Sequence, residues 1–459
     1  MDSNTATADI LILGGGFSGL SAGVTLARRG AKVVLLEKKT HLGGRAFSFH
    51  EPGYEGPIDN GQHLFLACYR ETRKFLRAIG TEDRLEISDR LHLEFVDGSG
   101  NRDRLRPPAG LPGRLGLGFG IAALRGLSLR DKWGLARFFH RRSREALDGG
   151  FAPNLDSMTI AEWLRKEGVS LRARERLLDP IALAALNEKS EIASATGLSQ
   201  VLSRAFFAPD SDPRVGISRV GLSDLYADAA ERAILEAGGI VRRSERISAV
   251  EEGPDGRIIG VRTVGGFSWR ARSVLSCLAP WDLAKLELPK SLQGAWRKLR
   301  PAPIVSVSLW LDRPLLREEQ AFVGLLGTEI QWVFNKSAIL GSRLNSKAGP
   351  AGSAGQYLST VISGAHRELL CKPDALVEAA CRDLARCFPA FRREWVRNAK
   401  VVKEPFATLS GVPGAEALRP VPGELAPGFF VAGDWTRTGL PATIESAVLS
   451  AAMACKRIG

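Results

Sequence analysis

A run of apolar residues near the start of the chain breaks into closely spaced glycines. Residues 10–13 are all apolar, which predicts a short buried strand. The pattern changes to helical spacing over 20–29, and a second predicted strand covers 32–36. Between the first run and the helix, the glycines have the spacing Gly-x-Gly-x-x-Gly: Gly14, Gly16 and Gly19. The order of strand, glycine turn, helix and strand predicts a unit that binds a dinucleotide.

The glycine turn has the features that a pyrophosphate requires. Its first glycine permits the tight turn, its second allows close approach to the backbone, and its third lets the helix pack on the strand. The positive end of the helix dipole then faces the phosphates. We expect cofactor contacts from the turn and the helix start: Gly14, Gly16, Phe17, Ser18 and Gly19. Glu37, at the end of the second strand, is placed to accept hydrogen bonds from an adenosine ribose.

Three later runs predict a second sheet. Residues 304–311, 330–336 and 356–363 have strand-like patterns and indicate an antiparallel sheet in a second domain. Trp332 and Phe334 alternate onto one face of the middle strand. There they would either line a hydrocarbon channel or fill a core.

The composition is typical of a multidomain cytoplasmic protein without a transmembrane helix or a metal site. At 459 residues the chain is long enough for two or three domains, and 44% of its residues are hydrophobic. No window holds 18 uninterrupted apolar residues, and the polar N-terminus does not resemble a signal peptide. Six scattered cysteines without a CxxC pair predict reduced thiols in a cytoplasmic protein. The six histidines show no ligand spacing, so no metal site is expected.

The net charge of +13 has more than one interpretation. No nucleic-acid-binding module is recognisable, so a nucleic-acid partner is not expected. Residues 111–144 combine Leu, Phe and Arg residues with Trp133, which is typical of a segment lying on an anionic bilayer. The same segment could instead be a helix pair that covers the active site, and the charge could belong to a solvated basic surface. The expected location is the cytoplasm, with possible peripheral contact at the inner face of the cytoplasmic membrane.

A second motif follows Glu37 closely. Lys38 comes next, and Gly43-Gly44-Arg45 then brings the backbone and a planar cation toward a ligand. This pairing of an acid with Gly-Gly-Arg resembles the flavoprotein amine oxidase and phytoene desaturase superfamily. The resemblance implies FAD as cofactor, held by both segments, including Lys38, Gly44 and Arg45.

The segment Asp59-Asn60-Gly61-Gln62-His63 is similar to the hydroxysqualene dehydroxylase branch of this superfamily. In the superfamily this part of the chain passes beside the isoalloxazine ring. The resemblance therefore adds cofactor contacts from Gly61, Gln62 and His63.

The end of the chain carries a further resemblance to the same branch. A buried strand leads into Gly433-Asp434, and a loop then opens a helix at Thr443-Ile444. The resemblance implies that Asp434 binds the ribityl chain and that the helix start lies under the flavin. It also implies that the backbone of Ile247 meets the adenine.

Because cofactor motifs lie at both ends, the nucleotide domain must be discontinuous. We predict an α/β fold with a Rossmann-like FAD-binding domain and an α+β substrate domain. The FAD domain is expected over 1–98, 208–290 and 396–459. The substrate domain is expected over 99–207 and 291–395.

The resemblance suggests reduction of hydroxysqualene to squalene in isoprenoid or hopanoid biosynthesis. Hydroxide is a poor leaving group, so the reaction needs an acid that protonates the substrate oxygen. His63 is the candidate acid, because histidine titrates near neutral pH, and Asp59 is the candidate orienting group. The substrate would be a triterpenoid lipid, and the electron donor is not identified by the sequence.

Three other functions remain open from the sequence. Carotenoid-type desaturation by oxidised flavin would use the same scaffold. Amine oxidation is less favoured, because Trp435 and Thr443 occupy the positions where relatives have a pair of aromatic residues. A prenyl-binding escort without flavin is disfavoured by Glu37, Arg45 and Asp434 together.

Overall fold

The computed structural model describes most of the chain. The described residues are 5–54, 56–108, 111, 113–147, 155–208, 211–341 and 355–458. For residues 113–115 and 145–147 only the backbone is described. All structural statements below refer to these residues.

The described strands form two large sheets and two small ones. In chain order they are β1 (Thr5–Leu13), β2 (Val33–Leu36), β3 (Ser48–Phe49), β4 (Ile58–Asp59), β5 (Phe65–Leu66), β6 (Leu85–Ile87), β7 (Leu93–Asp97), β8 (Arg102–Leu105), β9 (Val215–Ser218), β10 (Ile240–Arg242), β11 (Ile247–Glu252), β12 (Ile258–Thr263), β13 (Ser268–Ser276), β14 (Pro301–Leu311), β15 (Phe322–Leu326), β16 (Trp332–Asn335), β17 (Gln356–Ser363), β18 (Val396–Leu409), β19 (Gly423–Ala426) and β20 (Phe429–Val431).

The described α-helices connect and cover these strands. They are α1 (Phe17–Ala27), α2 (Arg70–Ala78), α3 (Gly113–Ala122), α4 (Leu129–Leu147), α5 (Ile160–Lys166), α6 (Leu171–Ala173), α7 (Asp179–Leu186), α8 (Ala195–Leu202), α9 (Asp228–Glu236), α10 (Pro280–Leu283), α11 (Lys336–Leu340), α12 (Pro373–Cys387), α13 (Ala415–Leu418) and α14 (Ile444–Cys455). Within the described residues, no helix is both long and apolar enough to cross a bilayer.

The first large sheet joins the two ends of the chain. Its order is β10-β2-β1-β13-β12-β11, and β20 pairs with β13 and with β19. The strands β2, β1, β13 and β20 are parallel. Their carboxyl ends therefore meet at one edge, which is where α/β sheets bind ligands. Residues 33–36 are fully buried, as a continuous apolar run in a parallel sheet requires.

The second large sheet has the order β18-β14-β17-β16-β15-β7-β8. Its pairs are antiparallel except for β15 with β7. One face packs on α12, and the other packs on a helical layer that includes α4, α5 and α8. Trp332 and Phe334 are buried between this sheet and the helical layer, so both side chains fill a core there. The predicted class, an α/β nucleotide domain with an α+β second domain, is confirmed.

The sheets divide the chain differently from the predicted boundaries at 98 and 396. The predicted boundaries place β7 in the nucleotide domain, yet it pairs with β15 of the second sheet, where Phe95 lies opposite Gly324. Strand β18, also assigned to the nucleotide domain, forms an edge of the second sheet and pairs with β14. A strand's local pattern does not specify its partner, so these memberships could not be read from the sequence.

The predicted interfacial segment is a helix pair. Its inner side buries Leu117, Leu135 and Phe138 in the helical core. Its outer side exposes Phe119, Leu129 and Trp133. Both sequence interpretations of 111–144 are therefore compatible with the structure; residue 112 and the side chains of 113–115 lie outside the described residues.

Candidate functional site

A cavity of about 380 Å³ lies at the carboxyl edge of the parallel strands. Most of the cofactor residues predicted from the sequence line it: Gly14, Gly16, Phe17, Ser18, Glu37, Lys38, Gly44, Arg45, His63, Gly433, Asp434, Thr443 and Ile444. These residues come from the two ends of the chain, 14–63 and 433–444, and the first sheet brings the two ends together. Residues 404 and 406–408 of β18 close the cavity from the second domain.

The glycine turn leaves the start of α1 facing this cavity. A side-chain carbon at Gly19 would lie 1.9 Å from the Gly14 carbonyl oxygen, so only glycine allows this approach of helix and turn. Gly19 itself does not line the cavity. Gly16 precedes the helix and supplies no side-chain cap, and the first turn of α1 contains no acidic residue. The helix start is thus suited to an anionic ligand such as a pyrophosphate.

Glu37 holds the end of β2 against the turn. Its side chain is buried, and its two oxygens accept hydrogen bonds from the backbone N–H groups of Gly15 (2.7 Å) and Lys39 (2.9 Å). A carboxylate has about four acceptor positions. Acceptor positions on Glu37 therefore remain for the hydroxyl groups of a ribose in the cavity.

Arg45 connects the two ends of the nucleotide domain. Its guanidinium donates to Asp434 Oδ1 at 2.5 Å and to the Ala407 carbonyl oxygen at 3.3 Å. The preceding Gly44 has φ +58°, and a side chain there would lie 2.9 Å from the Gly16 backbone. The Gly-Gly-Arg segment therefore lies directly on the glycine turn, as close packing around one ligand requires.

Asn60 is a further site residue, whose role its sequence motif does not specify. Its side chain is buried and accepts a hydrogen bond from Phe47 N at 3.0 Å. Its amide nitrogen donates to the Arg45 carbonyl oxygen at 3.1 Å and to Glu404 Oε1 at 3.2 Å. Its place within the 59–63 motif was the available signal, but its partners are distant in sequence.

Two more buried side chains support the cavity and were not predicted. Tyr226 stacks on Phe17 with 3.6 Å between ring centroids, and its hydroxyl lies 2.7 Å from the Gly43 carbonyl oxygen. Arg419 donates to the carbonyl oxygens of Asp434 (3.0 Å) and Thr436 (2.6 Å). These contacts position the Gly-Gly-Arg segment and the Gly-Asp loop, respectively.

The start of α14 forms a second helix terminus at the cavity. Thr443 precedes the helix, and its hydroxyl accepts a hydrogen bond from Ser446 N at 3.2 Å. Thr443 and Ile444 both line the cavity. The positive end of this helix dipole therefore favours negative charge on a ligand bound there.

The remaining predicted residues lie away from the cavity wall. Ile247 is buried in the core beside β12, and Gly61 does not line the cavity. Gln62 Oε1 accepts a hydrogen bond from the Lys336 ammonium at 3.1 Å. Asp59 pairs with the same ammonium at 2.7 Å and accepts from Leu222 N. The cofactor contacts of Gly61, Gln62 and Ile247 stay predictions.

His63 lines the cavity, but its charge state differs from the expectation. Burial lowers the pKa of His63 from 6.5 to about 4; Asp59 opposes this shift, and Arg45 adds to it. The imidazole is therefore neutral at neutral pH. A neutral imidazole is a poor proton donor, which argues against the predicted role of His63 as the acid.

The donor set of this cavity fits a flavin dinucleotide. Two helix N-termini, the Glu37 carboxylate with its remaining acceptor positions and the Arg45 guanidinium surround it. Among the described residues, no cluster of three histidine, cysteine or carboxylate side chains is arranged for a metal ion.

The chain is similar to known flavin-containing oxidoreductases in sequence and in fold. The model of a family described as "Flavin containing amine oxidoreductase" matches residues 17–459. Hydroxysqualene dehydroxylase of Rhodopseudomonas palustris is 28% identical over 467 residues, which cover 96% of this chain and 95% of that protein. The 15-cis-phytoene desaturase of Solanum lycopersicum is 24% identical over 470 residues, covering 99% of this chain and 78% of that protein. An engineered putrescine oxidase superimposes with a TM-score of 0.74 at 15% identity and covers 99% of both chains.

Proposed function

Since this chain belongs to the family of flavin-containing amine oxidoreductases, we propose that it reduces hydroxysqualene to squalene. Membership confirms the predicted FAD cofactor and an FAD-dependent oxidoreductase. The observation that carries the proposal is that this chain and the hydroxysqualene dehydroxylase cover one another almost completely. The phytoene desaturase, by contrast, extends beyond this chain. The product would serve isoprenoid or hopanoid biosynthesis, and the electron donor is unidentified.

The residues of the cavity would hold FAD along its length. The amides at the start of α1 would bind the pyrophosphate, Glu37 the adenosine ribose and Asp434 the ribityl chain. When bound and reduced, FAD supplies a hydride. The start of α14, at Thr443 and Ile444, would stabilise negative charge in this part of the cavity.

The protein must also protonate the departing hydroxyl group and exclude water from the reacting carbon. An allylic cation would be captured by water in an open site, so a dry cavity is needed. His63 lines this cavity and is affected electrostatically by Asp59, but the neutral imidazole fits a hydrogen-bonding role better than that of acid.

The second candidate is a carotenoid-type desaturation. It is favoured by the phytoene desaturase among the relatives, which matches 99% of this chain. In this reaction oxidised FAD would accept a hydride from a saturated hydrocarbon, and no acid would be needed. A prenyl-binding escort without flavin is less favoured, because Glu37, Arg45 and Asp434 all line the cavity.

One experiment separates these functions. The purified protein is incubated without oxygen with hydroxysqualene and chemically reduced FAD, and in parallel with phytoene and oxidised FAD. We expect squalene from the first mixture and unchanged phytoene in the second. Desaturated phytoene without any squalene would replace the proposal with the second candidate. A purified protein that neither contains nor takes up FAD would favour the escort.

We also propose that 111–144 contacts the inner face of the cytoplasmic membrane, where a lipid substrate would be available. Leu129 and Trp133 of α4 are 84% and 66% exposed, and Phe119 of α3 is 59% exposed. The Arg137 guanidinium lies 5.4 Å from the Trp133 ring centre. Exposed apolar side chains beside cations are typical of helices that lie on anionic bilayers.

Vesicle sedimentation tests this contact. We expect the protein to bind vesicles that contain phosphatidylglycerol, and the double substitution Leu129→Ser/Trp133→Ser to weaken this binding. Leu370→Ser is the matched control, because Leu370 is 89% exposed outside the segment. Equal binding by the double variant and the unsubstituted protein would remove 111–144 from membrane contact.

A further inference from the structure

Four carboxylate side chains line the cavity, and three of them are already engaged. Glu37 accepts two backbone N–H groups, Asp434 pairs with Arg45, and Asp282 pairs with Lys38 at 2.9 Å. Each of these three carboxylates is therefore held by a cation or by two backbone N–H groups.

Glu404 is the fourth carboxylate, and its surroundings differ. Within the described residues its side chain makes a single hydrogen bond, in which Asn60 donates to Oε1 at 3.2 Å, and no cation pairs with it. The guanidinium of Arg45 lies on the same cavity but is directed to Asp434 and Ala407. Oε2 of Glu404 therefore remains available to carry a proton.

Glu404 lies where the two domains meet at the cavity. It lies on β18 of the second sheet, opposite Ile304 of β14, while its partner Asn60 belongs to the segment next to His63. A substrate held by the second domain would meet a cofactor held by the first at this junction.

From this arrangement we propose that Glu404 is the proton donor to the hydroxyl group of the allylic alcohol, with Asn60 as its positioning residue. The inference rests on the proposed dehydroxylation. The carbon–oxygen bond breaks with its electron pair on oxygen, and the Glu404 proton completes the departing water. The carbon is reduced by the hydride that reduced FAD supplies, FAD is oxidised, and the Glu404 carboxylate regains a proton from solvent.

The test uses two substrates that differ in the leaving group. Hydroxysqualene needs an acid, whereas its acetate ester releases acetate, which leaves without protonation. In the FAD-loaded enzyme, Glu404→Gln is expected to lower squalene formation from the alcohol by about 10²- to 10⁴-fold. The same variant should form squalene from the ester within a few-fold of the unsubstituted enzyme.

Controls separate chemistry from folding. FAD content and the flavin absorption spectrum should be the same in Glu404→Gln and in the unsubstituted protein. Glu394→Gln makes the same exchange at an exposed position in the turn before β18 and should leave both substrates unaffected. Should Glu404→Gln lose FAD, Glu404→Asp retains the acid and should retain part of the activity toward the alcohol.

Asn60→Ala tests the positioning role. The rate with the alcohol should fall while the rate with the ester is retained, whereas a purely structural role would lower both rates.

Two results would overturn the inference in different ways. If the unsubstituted enzyme forms squalene and Glu404→Gln forms it equally fast from the alcohol, Glu404 is not the donor and the proposed function stands. An alcohol-specific loss in His63→Gln but not in Glu404→Gln would assign the proton to His63. If the unsubstituted enzyme forms no squalene from either substrate, the proposed function and this inference both fail.

Discussion

Glu37 and His63 face the same cavity, and burial acts on them differently. Glu37 is kept in place by the backbone N–H groups of Gly15 and Lys39, which compensate for the water it has lost. At His63 the attraction of Asp59 is outweighed by burial, which favours the neutral imidazole. Single substitutions at these two positions therefore test two separate properties, cofactor affinity and pH dependence.

Glu37→Ala is expected to weaken FAD binding about 10- to 100-fold. The change removes the ribose acceptor and leaves two buried N–H groups without their partner, a loss of about 1–3 kcal/mol. Titration of the FAD-free protein with FAD, followed by flavin fluorescence, measures the Kd. Glu37→Gln keeps one acceptor oxygen and should show a smaller increase in Kd. An unchanged Kd in Glu37→Ala would show that this carboxylate does not contact the cofactor.

His63 is expected to make the folded protein less stable in mild acid. Its pKa is about 4 when folded and near 6.5 when unfolded, so the unfolded chain binds the proton more readily. Stability present above pH 6.5 is therefore lost as the pH falls toward 4, by about 2 kcal/mol at pH 5. Urea unfolding at pH 7.5 and pH 5 should show a smaller loss for His63→Gln. Equal losses in both proteins would contradict the lowered pKa.

At the scale of elements, the close approach of α1 to the glycine turn sets the geometry of the nucleotide end. The helix starts on Phe17, which stacks on Tyr226, and the Tyr226 hydroxyl reaches the Gly43 carbonyl oxygen. One helix, one turn and the Gly-Gly-Arg segment are therefore packed as a unit. A small change in the position of α1 would move all three.

Gly19→Ala tests this packing. The added carbon would lie 1.9 Å from the Gly14 carbonyl oxygen, so the helix or the turn must move. We expect loss of FAD from the purified protein and a free energy of unfolding lower by about 1–3 kcal/mol. Gly118→Ala is the control, because a side chain there meets no atom within 4 Å. Full FAD content in Gly19→Ala would show that the turn tolerates a wider approach.

At the scale of the whole molecule, the buried ion pair between Lys336 and Asp59 connects the two domains. Lys336 begins α11 after β16, and its side chain is only 1% exposed. Its ammonium lies 2.7 Å from Asp59, which belongs to the segment beside the cavity. The pair holds residues 59–63 against the second sheet and so affects the placement of His63 and Asn60.

Removal of one member of this pair should be costly. Lys336→Met leaves the buried Asp59 carboxylate without its cation, and we expect a loss of about 3–5 kcal/mol in the free energy of unfolding. The double substitution Asp59→Asn/Lys336→Met removes both charges and keeps an acceptor for Leu222 N, so its loss should be smaller. Urea unfolding of the three proteins measures the difference. An equal or larger loss in the double variant would show that the charge pairing is unimportant for stability.

The sequence by itself determined the local parts of this protein. The turn at Gly14, Gly16 and Gly19 and the acid at Glu37 follow from spacing within one strand–helix–strand unit. Backbone sterics require glycine at Gly14, where φ is +100°, and at Gly19, where the helix meets the turn. The FAD cofactor and the two-domain class followed from the resemblance of short motifs at both ends of the chain.

Only the tertiary structure decided which distant residues meet. Asn60 and Glu404 are 344 positions apart, and Asp59 and Lys336 are 277 apart. Strands β7 and β18 likewise joined the second sheet, although the predicted boundaries placed them in the first domain. Periodicity reports whether a residue is buried, but not against what, because partners are selected by the packing of the whole chain. The charge state of His63 has the same origin, since its lowered pKa reflects burial and neighbours that exist only in the folded protein.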